Sequence, residues 1–250
     1  DTDFPMELEI QKAIELGMDE LCFTEHSDYD VPTVVNCDYD AYFKEMEEMK
    51  EKYKGQITLK TGIEFGIQVH TTKAYEETFG QYPFDFVIFS CHQVENKEYW
   101  RQEPQKGKTQ LEYNRRYYQE ILDVVKAYKD YSILGHLDVI KRYDLNGEIE
   151  LEKIKDLIEQ IFEVVIADGK GIELNTSSRA YHLKSLMPSR EILELYHDMG
   201  GKIITIGSDA HNADRVGDRV MESQKILKEI GFNGIYTFDQ MKPKFHEFKF

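Results

Sequence analysis

Short apolar runs rich in β-branched residues alternate with segments of helical period along this chain, and the alternation repeats six times. Apolar positions at Met6, Leu8, Ile10, Ala13, Ile14 and Leu16, between Pro5 and Gly17, predict a helix over 5–16 with proline at its start and glycine past its end. A strand over 20–26, a charged amphipathic helix over 39–53 and a strand over 57–66 follow. Strands are predicted over 86–92, 132–138 and 171–177, with helices over 111–128, 151–167 and 188–199. The run Lys202-Ile-Ile-Thr-Ile-Gly207 reads as a buried parallel strand whose end delivers Asp209 and His211 into a turn. A last helix is expected over 216–230, and the aromatic segment 232–250 either packs under the fold or meets a partner.

Strand–helix alternation with short connections means a parallel sheet, closed as a barrel or doubly wound. Potential ligands stand at the ends of several strands, which favours the barrel, because a doubly wound sheet gathers its site at one switch point. No Pro/Gly/Ser-rich linker divides the sequence, so 1–250 is expected to be a single domain.

Composition narrows the possibilities. The apolar runs are far too short to span a bilayer, and no charged n-region with an apolar h-region opens the chain. Three widely spaced cysteines, Cys22, Cys37 and Cys91, make no disulfide framework and suit a reducing cytoplasm. A net charge of −16 argues against a nucleic-acid surface, although bound cations would still permit an anionic substrate.

The candidate chemistry lies in His26, Glu64, His92, His136, Asp209 and His211, with Asp1 and Asp138 as outliers. One histidine at a strand end is usually structural, but six such residues at equivalent positions of parallel strands would face one mouth. Imidazoles and carboxylates without a thiolate suit zinc, manganese or iron(II). Six ligands exceed the need of one tetrahedral ion, so a multinuclear site is expected, with a carboxylate such as Glu64 as a bridge. No Gly-x-Ser-x-Gly elbow, P-loop or dinucleotide fingerprint is present. Of the other histidines, His70 and His182 are loop candidates for substrate contact, whereas His197 and His246 read as structural or solvated.

Taken together, Phe23-Thr-Glu-His26, Gly62-Ile-Glu64, Ser90-Cys-His92, Gly135-His-Leu-Asp138, Glu173-Leu-Asn-Thr-Ser177 and Gly207-Ser-Asp-Ala-His211 resemble the ordered motifs of the polymerase and histidinol phosphatase (PHP) family. Length, and the Glu-Leu-Asn-Thr-Ser segment followed by Arg179, are most similar to the stand-alone histidinol-phosphate phosphatases of that family. The resemblance implies a distorted (β/α)7 TIM-like barrel with three divalent metal ions. It implies that Glu64 bridges the first two ions, that His92 and His136 bind the second, that Asp209 binds the first, and that His26 and His211 bind the third. A further ligand of the third ion falls at Asp1, with Asp3 as the fallback. The family's His-x-His on the first strand would lie just before Asp1, so either the sequence begins after that strand or the first ion is weakly held.

The activity so implied is hydrolysis of L-histidinol phosphate to L-histidinol and phosphate, a step of histidine biosynthesis. Alternatives are another phosphoesterase of the family, acting on phosphotyrosine, nucleotides or oligonucleotides, or a non-catalytic metal-stabilised scaffold. Arg179, which offers a bidentate fork to phosphate directly after a strand, is the expected phosphate ligand, with a surface ion pair as its alternative; His182 and Arg215 are lesser candidates. A metal-bound water, Asp138 or Asp209 would protonate the leaving group. The segment 94–108, with Trp100 and Arg101, is expected to be either a substrate lid or an ordinary solvated loop.

Overall fold

The structure, a computed structural model, describes residues 4–250. In chain order the elements are α1 (Met6–Glu15), β1 (Glu20–Ser27), α2 (Tyr39–Lys52), β2 (Thr58–Gly66), α3 (Thr72–Phe79), β3 (Phe86–Ser90), β4 (Gln93–Val94), β5 (Lys97–Glu98), α4 (Gln110–Ala127), β6 (Ile133–Leu134), α5 (Lys155–Ala167), β7 (Gly171–Asn175), α6 (Arg190–Asp198), β8 (Ile204–Gly207), α7 (Val220–Ile230), β9 (Gly234–Asp239) and β10 (Lys242–Glu247). Six strands form one sheet in the order β1-β2-β3-β6-β7-β8, every pair parallel. The sheet curls into a barrel-like α/β structure with helices outside.

Strand parity divides the chain's residues between two environments. One parity packs under the helices: Ile63, Phe65, Val87, Phe89, Cys91, Ile172, Leu174 and Ile204 are all buried in the core. The other faces the concave side, where His26, Glu64, His136, Glu173 and Asp209 line a cavity of about 1090 Å³. The pairing register sets His26 directly beside Glu64 and Asn175 beside Gly207. Sequence parity and sheet register therefore decide which side chains meet.

Several elements differ from expectation. The strand predicted over 132–138 pairs only through Ile133 and Leu134. After Gly135 donates to the Phe89 carbonyl, the chain turns, and the Val139 amide bonds the His136 carbonyl, so His136 rides in a turn. The helix over 151–167 is interrupted at Ile154, with a 3-10 turn before α5. The helix α3 and the β4–β5 hairpin lie in segments whose periodicity is too short to read. The aromatic segment at the C-terminus is an antiparallel hairpin, β9–β10. It closes the lower end of the barrel, with Phe238 packed 5.1 Å from Phe86 and in one cluster with Ile88 and Ile133.

Candidate metal centre

The C-terminal ends of the parallel strands converge on a chain of charged groups. Oε1 of Glu64, on β2, lies 2.9 Å from Nε2 of His136 and 3.1 Å from Nε2 of His92, and accepts a 2.6 Å hydrogen bond from the Ser90 hydroxyl. Beyond His92 stands Asp28, whose Oδ1 is 2.8 Å from His92 Nδ1 and whose Oδ2 is 3.3 Å from His26 Nε2. One line of contacts thus runs from His26 through Asp28, His92 and Glu64 to His136.

Electrostatics follow from this geometry. Burial by itself raises the Glu64 carboxyl, but the hydrogen bonds and charges of His136 and His92 hold it well below the usual range. Burial disfavours the charged form of His92, yet Asp28 and Glu64 keep its pKa well above an ordinary imidazole. The Asp28 carboxyl is depressed in turn, burial being outweighed by His92 and His26.

A second cluster surrounds Asp209, which follows β8 in the left-handed region (φ 49°). Its Oδ2 accepts from Arg142 at 2.9 Å, from the Ser177 hydroxyl at 3.2 Å and from Asn175 Nδ2 at 3.4 Å. Burial and Glu64 push the Asp209 carboxyl up, but His136 and Arg142 bring it below its ordinary value. Glu173 joins the two clusters: its Oε2 accepts from the His136 amide at 3.0 Å and from Asn175 Nδ2 at 3.1 Å. Burial raises the Glu173 carboxyl against the opposing pull of His136.

The donor set fits a divalent ion. Ligand atoms of Glu64, His92 and His136 all lie within 4.8 Å of one another. One carboxylate and two imidazoles form a combination suited to zinc and similar ions. Asp28 on the far nitrogen of His92 is the carboxylate–histidine arrangement that orients a ligating imidazole. Nδ1 of His136 is buried without a partner among the described residues.

Not every expected residue reaches this site. Among the expected metal ligands, His26, Glu64, His92, His136, Asp209 and His211 line one cavity; Asp1 and its fallback Asp3 lie outside the described residues. Asp138 is buried outside the cavity lining, where its Oδ2 accepts from Lys141 Nζ at 2.8 Å and the Ser189 amide at 2.9 Å. Arg179 and His182 are exposed and line none of the cavity. Arg215 donates to the Ser208 carbonyl at 3.3 Å and lies 3.5 Å from Asp218, also outside the lining.

Three residues in the cavity escaped the sequence reading. Asp28 had a signal, since it stands two residues after His26 and shares its face. Glu173 had one too, through its parity with Asn175. Arg142, six residues beyond His136 on a 3-10 turn, had none.

Similar proteins are found by sequence and by structure. The PHP domain matches residues 1–177. The histidinol-phosphatase of Lactococcus lactis is 31% identical over 238 residues, covering 93% of this chain and 88% of that protein. The probable histidinol-phosphatase of Thermotoga maritima is 28% identical over 224 residues, covering 89% and 84%. The crystal structure of histidinol phosphate phosphatase from L. lactis, complexed with zinc, L-histidinol and phosphate, superposes with a TM-score of 0.88 at 29% identity, covering 98% of this chain and 94% of that one. With the fold, the converging ligands and these matches in agreement, the chain belongs to the PHP domain family.

Proposed function

We propose that this protein is a metal-dependent phosphoric monoester hydrolase that converts L-histidinol phosphate to L-histidinol and phosphate, as one catalytic domain over 1–250. The observation that carries the reading is the convergence of Glu64, His92 and His136 on one point, in a chain similar throughout to a zinc-containing histidinol phosphate phosphatase.

Glu64, His92 and His136 would hold one divalent ion, Glu64 with Asp209 would serve a second, and His26 with His211 a third; zinc would be the first choice. Bound there, such ions polarise phosphoryl oxygens and lower the pKa of water towards neutrality. The protein's own contribution is placement. Arg142 lines the cavity, and its Nη2 is held by Asp209 and Ser177. Its Nε is buried without a partner among the described residues, which leaves a donor for a phosphoryl oxygen. Arg142 thereby takes the role expected of Arg179. Asp209, ionised, would accept the proton that the attacking water loses and pass it to the leaving oxygen, whereas Asp138 is engaged by Lys141 and Ser189.

The substrate is a small ester rather than a polynucleotide, since a net charge of −16 leaves no basic stripe for a phosphate backbone. The described cysteines are all free, which suits a cytoplasmic setting, and no described helix is long and apolar enough to cross a membrane.

Phosphate release from L-histidinol phosphate, phosphotyrosine, AMP and a short oligonucleotide tests the reading, with bound metals counted on the same sample. The expected result is a strong preference for L-histidinol phosphate, lost on chelation and regained with zinc or manganese. Preference for AMP or the oligonucleotide, or full activity after the metals are removed, would overturn it.

A further inference from the structure

We propose that Tyr75, outside the cavity lining, is a positioning residue of the metal centre: its buried hydroxyl clasps the ends of β1 and β2 around Asp28 and so holds the carboxylate that orients His92 and His26. The inference rests on the metal-dependent reading and names the support on which the ligand geometry depends.

The helix α3 buries one residue, and that residue is Tyr75, which is fully enclosed. A tyrosine in a core needs partners for its hydroxyl, which phenylalanine in the same place would not. The ring is fixed between Tyr29, stacked at 4.4 Å between centroids, and Phe65 at 4.7 Å. Set in this way, the hydroxyl meets three backbone groups at once. It donates to the Ser27 carbonyl at 2.8 Å and to the Gly66 carbonyl at 2.9 Å, and it accepts from the Tyr29 amide at 2.9 Å.

These three contacts bracket Asp28. Ser27 and Tyr29 are its neighbours in the chain, and Gly66 is the residue whose missing side chain leaves room for its Oδ1. The Asp28 amide itself donates to Asn36 Oδ1 at 2.7 Å. With the backbone held on both sides, the two carboxylate oxygens meet two different imidazoles, His92 Nδ1 at 2.8 Å and His26 Nε2 at 3.3 Å.

One carboxylate can orient two rings only while its own position is fixed. Ligands held in place before the ion arrives spare metal binding the cost of ordering them, and partners behind a ligand therefore set affinity. Tyr75 thus acts on the metal centre through Asp28 without touching either histidine.

Zinc affinity of the wild type, Tyr75→Phe, Asp28→Asn and the double variant is measured by competition with a chromophoric chelator, well below each melting temperature, with metals per chain counted. Tyr75→Phe keeps the ring and its volume and removes only the clasp. It should weaken zinc about ten-fold, Asp28→Asn roughly ten- to a hundredfold, and the double variant no more than Asp28→Asn alone. A tyrosine that merely completed the core would lower the melting temperature and leave the zinc affinity of the folded protein unchanged. That result, or effects that multiply in the double variant, would overturn the proposal. Asn36→Ala loosens Asp28 from the exposed side and should weaken zinc about two- to three-fold, a test that survives poor folding of Tyr75→Phe; unchanged affinity there also counts against the clasp. Zinc lost on Glu64→Gln but unaffected by Tyr75→Phe refutes the clasp alone. A wild type that takes up no zinc, or holds it equally after Glu64→Gln, overturns the metal reading and the clasp with it.

Discussion

Arg142 illustrates how a residue acquires a role from its neighbours. A guanidinium with Asp209 on one nitrogen and the Tyr181 ring against its face is oriented from two sides. Lysine carries the same charge without the planar fork. Arg142→Lys should therefore raise the inhibition constant of inorganic phosphate by roughly ten- to a hundredfold, with metal content unchanged. Arg179→Ala should leave that constant where it is, and the reverse pattern would return the role to Arg179. Asp28 acts at the same scale and through another residue, since it binds His92 and His26 and lies behind the expected ligand atom of His92.

Among the elements, the strand ends hold carboxylates only because glycine makes room for them. A Cβ on Gly207, at the end of β8, would stand 1.9 Å from Oε1 of Glu173, and one on Gly66, at the end of β2, 1.6 Å from Oδ1 of Asp28. These two positions call for glycine because of close approach and not because of backbone conformation. Gly207→Ala should cost about 1–3 kcal/mol of stability in urea unfolding and weaken activity by displacing Glu173. A variant as stable and as active as the wild type would show that Glu173 moves aside freely. Parity and pairing made the strands and the inward set legible in the sequence. The shortness of β6 was not legible, because nothing local marks where a strand leaves its neighbour for a turn.

The whole molecule concentrates acidic and imidazole groups at one end of the barrel, and its pH response follows from that. Glu64 and Asp28 have depressed pKa values in the metal-free protein, so their contribution is complete above the ordinary carboxylate range, begins to fall as pH drops below it and is gone only once pH has passed the depressed values. His92 is raised, so its contribution is present below the ordinary imidazole value and is lost only as pH rises through the elevated one. A bound ion must also displace the His92 proton. The metal-free protein is therefore expected to lose stability below about pH 4, and zinc affinity should climb with pH through neutrality with proton release. Thermal melts across pH and calorimetry in buffers of different ionisation heat check both, and an affinity independent of pH would contradict the assignment of His92 as a ligand.

By itself the sequence determined the alternation of strand and helix, the inward parity, and the ordered motifs at the strand ends, because these depend on residues close together in the chain. His26, Glu64, His92, His136 and Asp209 were legible for that reason. Only the tertiary structure decided which of the remaining charged residues belong with them. Asp28 reaches His92 across 64 positions and Arg142 reaches Asp209 across 67, while Arg179, at the end of the 3-10 turn that follows β7, is left facing solvent. The same holds for the hairpin under the barrel. Contacts of that span depend on how the sheet curls and how its loops pack, which no local pattern records.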